Sequence, residues 1–196
     1  MRNIALFVED YGHEQFLVPL LERIAHEHDT PVNVFPRSVR GGYGKVITEF
    51  SNFLKDLSVA RVQLPDLILV ATDANCRGYA ERKRQIQAVI KPDYNHLIVC
   101  AIPDPHIERW LLIDAAAFKA VLGKGCNAPD QKCAKDRYKQ LLFEAIRNVG
   151  ITPPLGGLEY ARDIAGNMDL QKASRIDDSF NRLVADLRSK FKEWGR

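Results

Sequence analysis

The sequence predicts an α/β protein, with a mostly parallel four-stranded sheet flanked by helices and an all-helical C-terminal extension. Three observations predict it. Leu67-Ile68-Leu69-Val70-Ala71 is apolar throughout and bounded by Pro65 and Thr72-Asp73, the pattern of a strand buried on both faces. Strand-like and helix-like segments alternate as far as about residue 113, which is the signature of βαβ units. Beyond Pro103 no further strand is convincing, and helical periodicity takes over.

The elements follow in order. Residues 3–8 read as the first strand, ending at Glu9-Asp10-Tyr11-Gly12. Glu14 to His28 place Phe16, Leu17, Leu20, Leu21 and Ile24 at helical spacing. Pro31 to Phe35 is a short second strand, and a glycine-rich basic loop, residues 36–45, leads to a helix striped by Val46, Phe50, Phe53, Leu54 and Leu57. Leu67–Ala71 is the third strand, Cys76 to Ile90 a charged third helix, and Leu97 to Ile102 the fourth strand. Ile107 to Ile113 is a short helix, followed by Ala115 to Leu122, capped by Asp114 and stopped by Gly123. Gln131 to Val149 and Leu158 to Ala165 are helical, with a break at Thr152-Pro153-Pro154-Leu155-Gly156-Gly157. The last helix, capped by Asp177 or Asp178, carries Phe180, Leu183, Val184, Leu187 and Phe191 on one face. Residues 1–113 thus form the α/β domain, and 114–196 a helical extension packed on it.

Composition narrows the class. The chain has 196 residues, 46% of them hydrophobic, enough for one domain with its own core. No apolar run approaches the ~20 residues of a membrane helix, and the N-terminus lacks a secretion signal. Cys76, Cys100, Cys126 and Cys133 show neither metal-ligand spacing nor a disulfide framework, so reduced thiols in a cytoplasmic protein are expected. A net charge of +3 permits nucleic-acid binding without requiring it.

The chemistry is expected where the strands end, because ligands of open parallel sheets sit beyond the strands' carboxyl ends. Three strands deliver acids there: Glu9 after the first, Asp73 and Asn75 after the third, Asp104 and Glu108 after the fourth. Asp73 and Asn75 share a face if the strand continues, and Asp104 and Glu108 share one if helical. Oxygen ligands of this kind suit Mg²⁺ or Mn²⁺, which can polarise a phosphodiester and activate water. Taken singly, each of these residues is better explained as a strand-end or cap residue satisfying backbone N–H groups; together, Glu9, Asp73 and Glu108 favour a site.

Three phrases carry a family resemblance. Phe7-Val8-Glu9-Asp10-Tyr11-Gly12-His13-Glu14 resembles the start of a Toprim domain, and Thr72-Asp73-Ala74-Asn75-Cys76-Arg77-Gly78 is similar to its Asp-x-Asp segment. Asp104-Pro105-His106-Ile107-Glu108-Arg109-Trp110-Leu111-Leu112 resembles a phrase of small Toprim-like proteins of bacterial defence and mobile-element loci, related to OLD-family and RloB-like nucleases. The resemblance covers residues 3–113. It implies a Toprim-like domain with Glu9 as metal ligand or general base, Asp73 holding Mg²⁺ and Glu108 completing the cluster. The second aspartate of the usual pattern is Asn75 here, which offers an oxygen without a charge and leaves the number of metal ions open. Asp104 would compensate.

The loop bearing Arg37, Arg40 and Lys45 around Gly41-Gly42-Tyr43-Gly44 reads as a phosphate contact or as a plain loop with helix-starting glycines. Arg77 and Lys83, with Arg82 and Arg84, would track a nucleic-acid backbone or simply form a solvated helix face. His13 and His106 lie beside proposed acids, where proton transfer or surface hydrogen bonding is open to them. The expected function is Mg²⁺-dependent cleavage of DNA or RNA phosphodiesters, in phage defence by family analogy. The alternatives are a non-catalytic nucleic-acid-binding or regulatory subunit beside an ATPase partner, favoured by Asn75, and a phosphotransfer enzyme on a small substrate.

Overall fold

The structure, a computed structural model, describes residues 1–39 and 41–195. Four strands, β1 (Arg2–Val8), β2 (Val32–Ser38), β3 (Leu67–Ala71) and β4 (Ile98–Ala101), form one sheet in the order β2-β1-β3-β4, and every pairing is parallel. Helix α1 (Tyr11–Glu27) connects β1 to β2, and α2 (Tyr43–Ser58) carries the chain back across β1 to β3. The strand order therefore reverses between β1 and β3, the position at which such sheets leave a crevice open beyond their strand ends.

Alternation within β1 explains the layering. Ile4, Leu6 and Val8 face α1, whereas Ala5 and Phe7 face α2 and α3 (Tyr79–Gln87). The face toward α2 closes over a small core built on Phe7, Phe50, Phe53 and Val70. The opposite face takes the larger core, and the C-terminal helices join it rather than forming a core of their own. These are α4 (Ile107–Leu112), α5 (Ala115–Leu122), α6 (Arg137–Arg147), α7 (Ala161–Asn167), α8 (Leu170–Ile176) and α9 (Asp178–Trp194). Trp110 of α4 meets Phe16 of α1 and Phe180 of α9 with ring centroids 5.7 and 5.3 Å apart, so one indole joins three elements across the sequence. Beside it, Arg109 forms a buried ion pair with Asp177, and the Trp110 indole N–H donates to Asp177 Oδ1 (3.3 Å) and Ser179 Oγ (3.1 Å). Asp177 also caps α9 by accepting from Phe180 N at 2.8 Å.

Several expected boundaries shift for local reasons. The helix expected over 76–90 starts only at Tyr79, because Asn75 (φ 51°) and Gly78 (φ 81°) lie in the left-handed region and leave a 3-10 turn between them. The helix expected from Gln131 starts at Arg137, after Asp136 at φ 55°. Helix α8, which no expected element covers, is a short helix capped by Asp169. The expectation of four free thiols is corrected: Cys76 and Cys133 form a disulfide, leaving Cys100 and Cys126 free. The Cα atoms of Cys76 and Cys133 are 5.6 Å apart, within reach of a bridge, although 57 positions separate them in the sequence and no spacing rule connects them. Among the described residues no helix is long and apolar enough to cross a membrane.

Candidate functional site

Asp73 is the centre of the crevice. Strand β3 stops at Ala71, and the chain turns so that the Asp73 carboxylate faces three donors. Oδ1 accepts from Ile107 N at 3.0 Å and lies 3.1 Å from His13 Nε2; Oδ2 lies 3.1 Å from His106 Nδ1. The first backbone N–H of α4, an unsatisfied donor of every helix start, is therefore spent on this acid. Thr72 and Asp73 in turn hold Glu9: its Oε2 accepts from Thr72 Oγ1 at 2.7 Å and Asp73 N at 3.2 Å.

His13 is fully buried between two carboxylates, with Nδ1 2.9 Å from Asp10 Oδ1 and Nε2 3.1 Å from Asp73 Oδ1. Both ring nitrogens face acceptors, so both donate, and the ring is an imidazolium. Burial works against that charge, but the Asp73 charge and the two hydrogen bonds outweigh it and raise the His13 pKa well above its ordinary value. In return, although burial opposes it, the Asp73 pKa is lowered to about 2 by the His13 charge and the bonds from His106 and His13. His106 is raised by its hydrogen bond to Asp73, against some burial.

Glu108 is the odd member. It is 4% exposed, and its Oε2 has no hydrogen-bond partner among the described residues. Burial first, then the Asp73 charge, push its pKa up, while Lys139 and His106 pull the other way. One ligand atom each from Asp73, His106 and Glu108 lies within 4.8 Å of the others. A buried carboxylate oxygen without a donor, beside a second carboxylate, is what a dication would satisfy. Two carboxylates with an imidazole suit Mn²⁺ as well as Mg²⁺.

The crevice around this cluster has a volume of about 360 Å³. Glu9, Asp73, Asn75 and Glu108 line it from the sheet side, Lys135 from the segment leading into α6, and Tyr138 and Lys139 from the first turn of α6. The disulfide lies at this edge, since Cys76 also lines the crevice and Cys133 precedes Lys135 by two residues. Five carboxylates (Glu9, Asp10, Asp73, Glu108 and Asp136), an imidazole ring and two ammonium groups around one opening can bind a cation and the anion it would act on.

The structure also separates residues that the sequence had grouped. Asp104 stands outside the crevice: its Oδ2 accepts from Tyr79 N at 3.3 Å, so it serves a helix start and does not join the cluster of Asp73, His106 and Glu108. Asn75 lines the crevice but does not share a strand face with Asp73, because the strand has ended; its Nδ2 donates to Asp73 O at 3.3 Å. Among the expected phosphate contacts, Arg37 lies over the Phe53 ring at 4.8 Å and 3.7 Å from Glu49, which places it on the α2 layer. Lys45 is exposed with its stem near Gly41, Arg77 is exposed, and Lys83 lies 5.9 Å from the Tyr79 ring; none lines the crevice. Arg40 lies outside the described residues. His106, Lys135 and Lys139 were absent from the expected ligands and contacts. His106 could have been found from its position two residues before Glu108 at a helix start; the two lysines carry no local signal.

One protein-family model, that of a domain of unknown function (DUF4276), matches residues 8–188. No curated protein and no solved structure matches.

Proposed function

We propose, for a chain that belongs to the DUF4276 family, a divalent-metal-dependent nuclease of Toprim-like chemistry that hydrolyses DNA or RNA phosphodiesters. The observation that carries the reading is the unpartnered Glu108 Oε2, buried beside Asp73 and His106. In this reading Asp73, His106 and Glu108 would hold Mg²⁺ or Mn²⁺, which would supply Lewis-acid polarisation of the phosphoryl oxygen and a more acidic water. The chain's own residues do the rest. His13, locked between Asp10 and Asp73, fixes the orientation of the Asp73 carboxylate, as outer partners of metal ligands do. Glu9, held through one oxygen by Thr72 and Asp73 N, keeps Oε1 to accept a proton from attacking water. Lys135 and Lys139 supply positive charge to the phosphate backbone. A defence role, with an ATPase partner, goes with this reading by analogy with the Toprim-like families that the sequence resembles.

The engagement of Asn75 with the Asp73 carbonyl favours a second reading, a nucleic-acid-binding subunit without cleavage. Incubating the protein with plasmid, single-stranded DNA and RNA in Mg²⁺ or Mn²⁺ separates the two. The nuclease predicts cleavage lost in EDTA and in Glu108→Gln. Salt-sensitive binding without cleavage supports the second reading, and full cleavage by Asp73→Ala and Glu108→Gln disposes of the first.

A further inference from the structure

The bridge between Cys76 and Cys133 lies at the surface, and both of its cysteines are exposed. Cys76 belongs to the 3-10 turn Asn75–Arg77 that follows Asp73, and it lines the crevice. Cys133 belongs to residues 123–136, a run without helix or strand in which only Cys126, Pro129 and Ala134 are partly buried. Among the described residues, every hydrogen bond and ion pair of residues 127–136 stays within that run or goes to Arg137, Tyr138 or Gln140 of α6. The bridge is therefore the one covalent bond, hydrogen bond or ion pair among them that joins this run to the sheet side of the crevice.

Exposed disulfides are the ones that thiols can reach and exchange with. The other two thiols are withdrawn from that exchange. Cys100 is buried, and burial pushes its thiol up to about 11. Cys126 is half-buried and donates to Leu112 O at 3.5 Å, and burial pushes its thiol up to about 11 as well. The thiolate is the attacking species, so neither competes with the exposed pair near neutral pH. What the pair holds is a wall of the crevice. Lys135 lines it two residues beyond Cys133, so the bridge fixes the chain within about 7 Å of Lys135.

We propose that Cys76 and Cys133 are a reversible thiol switch on the rim of the crevice, closed by a small-molecule disulfide and opened by small-molecule thiols. In closing, one protein thiolate attacks the small disulfide and expels its first thiolate. The second protein thiolate then attacks the protein sulfur of the mixed disulfide and expels the other. The protein pair gives up two electrons and two protons, and the small disulfide leaves as two thiols; opening is the reverse. Closed, the bridge holds residues 133–136 against the turn after Asp73, with Lys135 already placed for an anion. Open, the ligand itself has to order that stretch, which weakens binding. The identity of the anion rests on the nuclease reading, but the exchange does not.

The test compares the full chain after oxidised glutathione and after dithiothreitol, beside Cys76→Ser, Cys133→Ser and Lys135→Ala. Thiol titration in denaturant should give two thiols per chain in the first state and four in the second, reversibly. Amide hydrogen exchange over residues 133–136 should quicken on reduction. In EDTA, affinity for a fluorescent single-stranded oligonucleotide should fall about 10-fold on reduction, the effect of ordering one or two more side chains on binding. Each serine variant should bind as the reduced protein does, whichever reagent is present; if one fails to fold, the other decides, since either removes the bridge. Lys135→Ala should bind weakly in both states. A bridge that dithiothreitol leaves intact or that oxidised glutathione does not re-form overturns the proposal. So do equal affinities in the two states, no binding in either, or a full redox effect kept by Lys135→Ala. Redox-dependent binding without cleavage in Mg²⁺ or Mn²⁺ would sink the nuclease and leave the switch standing, whereas cleavage and binding indifferent to the thiol state would do the reverse.

Discussion

Glu108 and Arg109 are adjacent on α4, and both are almost fully buried, yet they meet different partners. Arg109 points into a corner where its charge meets Asp177, and where Asp177 also receives Trp110 and Phe180 N–H groups. Glu108 points into the crevice, where its neighbours are another acid, Asp73, and a carboxylate oxygen is left without a donor. A buried charge that finds its counter-charge within the chain ties elements together; one that does not is held at a cost, and such groups cluster at functional sites. The two corners share a helix, so substitutions one residue apart should separate stability from activity.

The largest effect is expected on the paired side. Arg109→Met strands Asp177, and breaking a buried ion pair in this way costs about 3–5 kcal/mol; urea denaturation should show it as a lower midpoint, with metal affinity unchanged while the protein is folded. A midpoint equal to wild type would mean that Asp177 does not depend on Arg109. Glu108→Gln should do the opposite, lowering metal affinity and cleavage by about 100-fold or more, beyond what outer partners of a metal cost, while stability stays within about 1 kcal/mol. Titration of Mn²⁺ followed calorimetrically would check it, and a large fall in stability with intact metal binding would merge the two corners.

His13→Gln tests the support behind Asp73. It leaves the three candidate ligands in place but removes the imidazolium that fixes one of them, so metal affinity should drop by about 10- to 100-fold. The smallest effect belongs to Asp114, 1% exposed at the start of α5. Burial would raise its pKa, but backbone N–H donors from Asp169, Ala116 and Ala117 outweigh that and hold it below the ordinary value. A depressed folded pKa means that the ionised acid contributes stability above the unfolded pKa and loses it as pH falls through the folded one. Asp114→Asn should therefore cost about 1 kcal/mol at neutral pH, a difference that shrinks below about pH 4. A gap that persists in strong acid would show that the charge is not what Asp114 contributes.

The sheet was legible because its strands are continuous apolar runs and its helices keep a clear period; Asp114 and Gly123 mark both ends of α5, as their residue types suggest. The ends of β1 and β3 were equally legible, and they carry Glu9 and Asp73 to the crevice. Other parts of the corner depend on contacts that no local pattern records. Asp104 has the residue type of a ligand, but the chain spends it on Tyr79 N. Arg82 has the residue type of a surface cation and sits in a run of charges, but a helix that starts at Tyr79 rather than Cys76 turns it inward onto Tyr43. Lys135 and Lys139 reach the crevice from the segment before α6 and from the first turn of α6.

The segment before α6 is held by hydrogen bonds between Tyr138 and Asp130 and Lys132, and by one covalent link. The link between Cys76 and Cys133 closes a ring that contains β4, α4 and α5, the stretch bearing both Glu108 and Arg109. A protease that clips the exposed backbone near Gly125 or Asn127 would therefore not release a fragment. The cut protein would migrate as one piece on a gel until a thiol was added, and the lysines of the crevice wall would stay tethered beside Asp73 through an intact sulfur bridge.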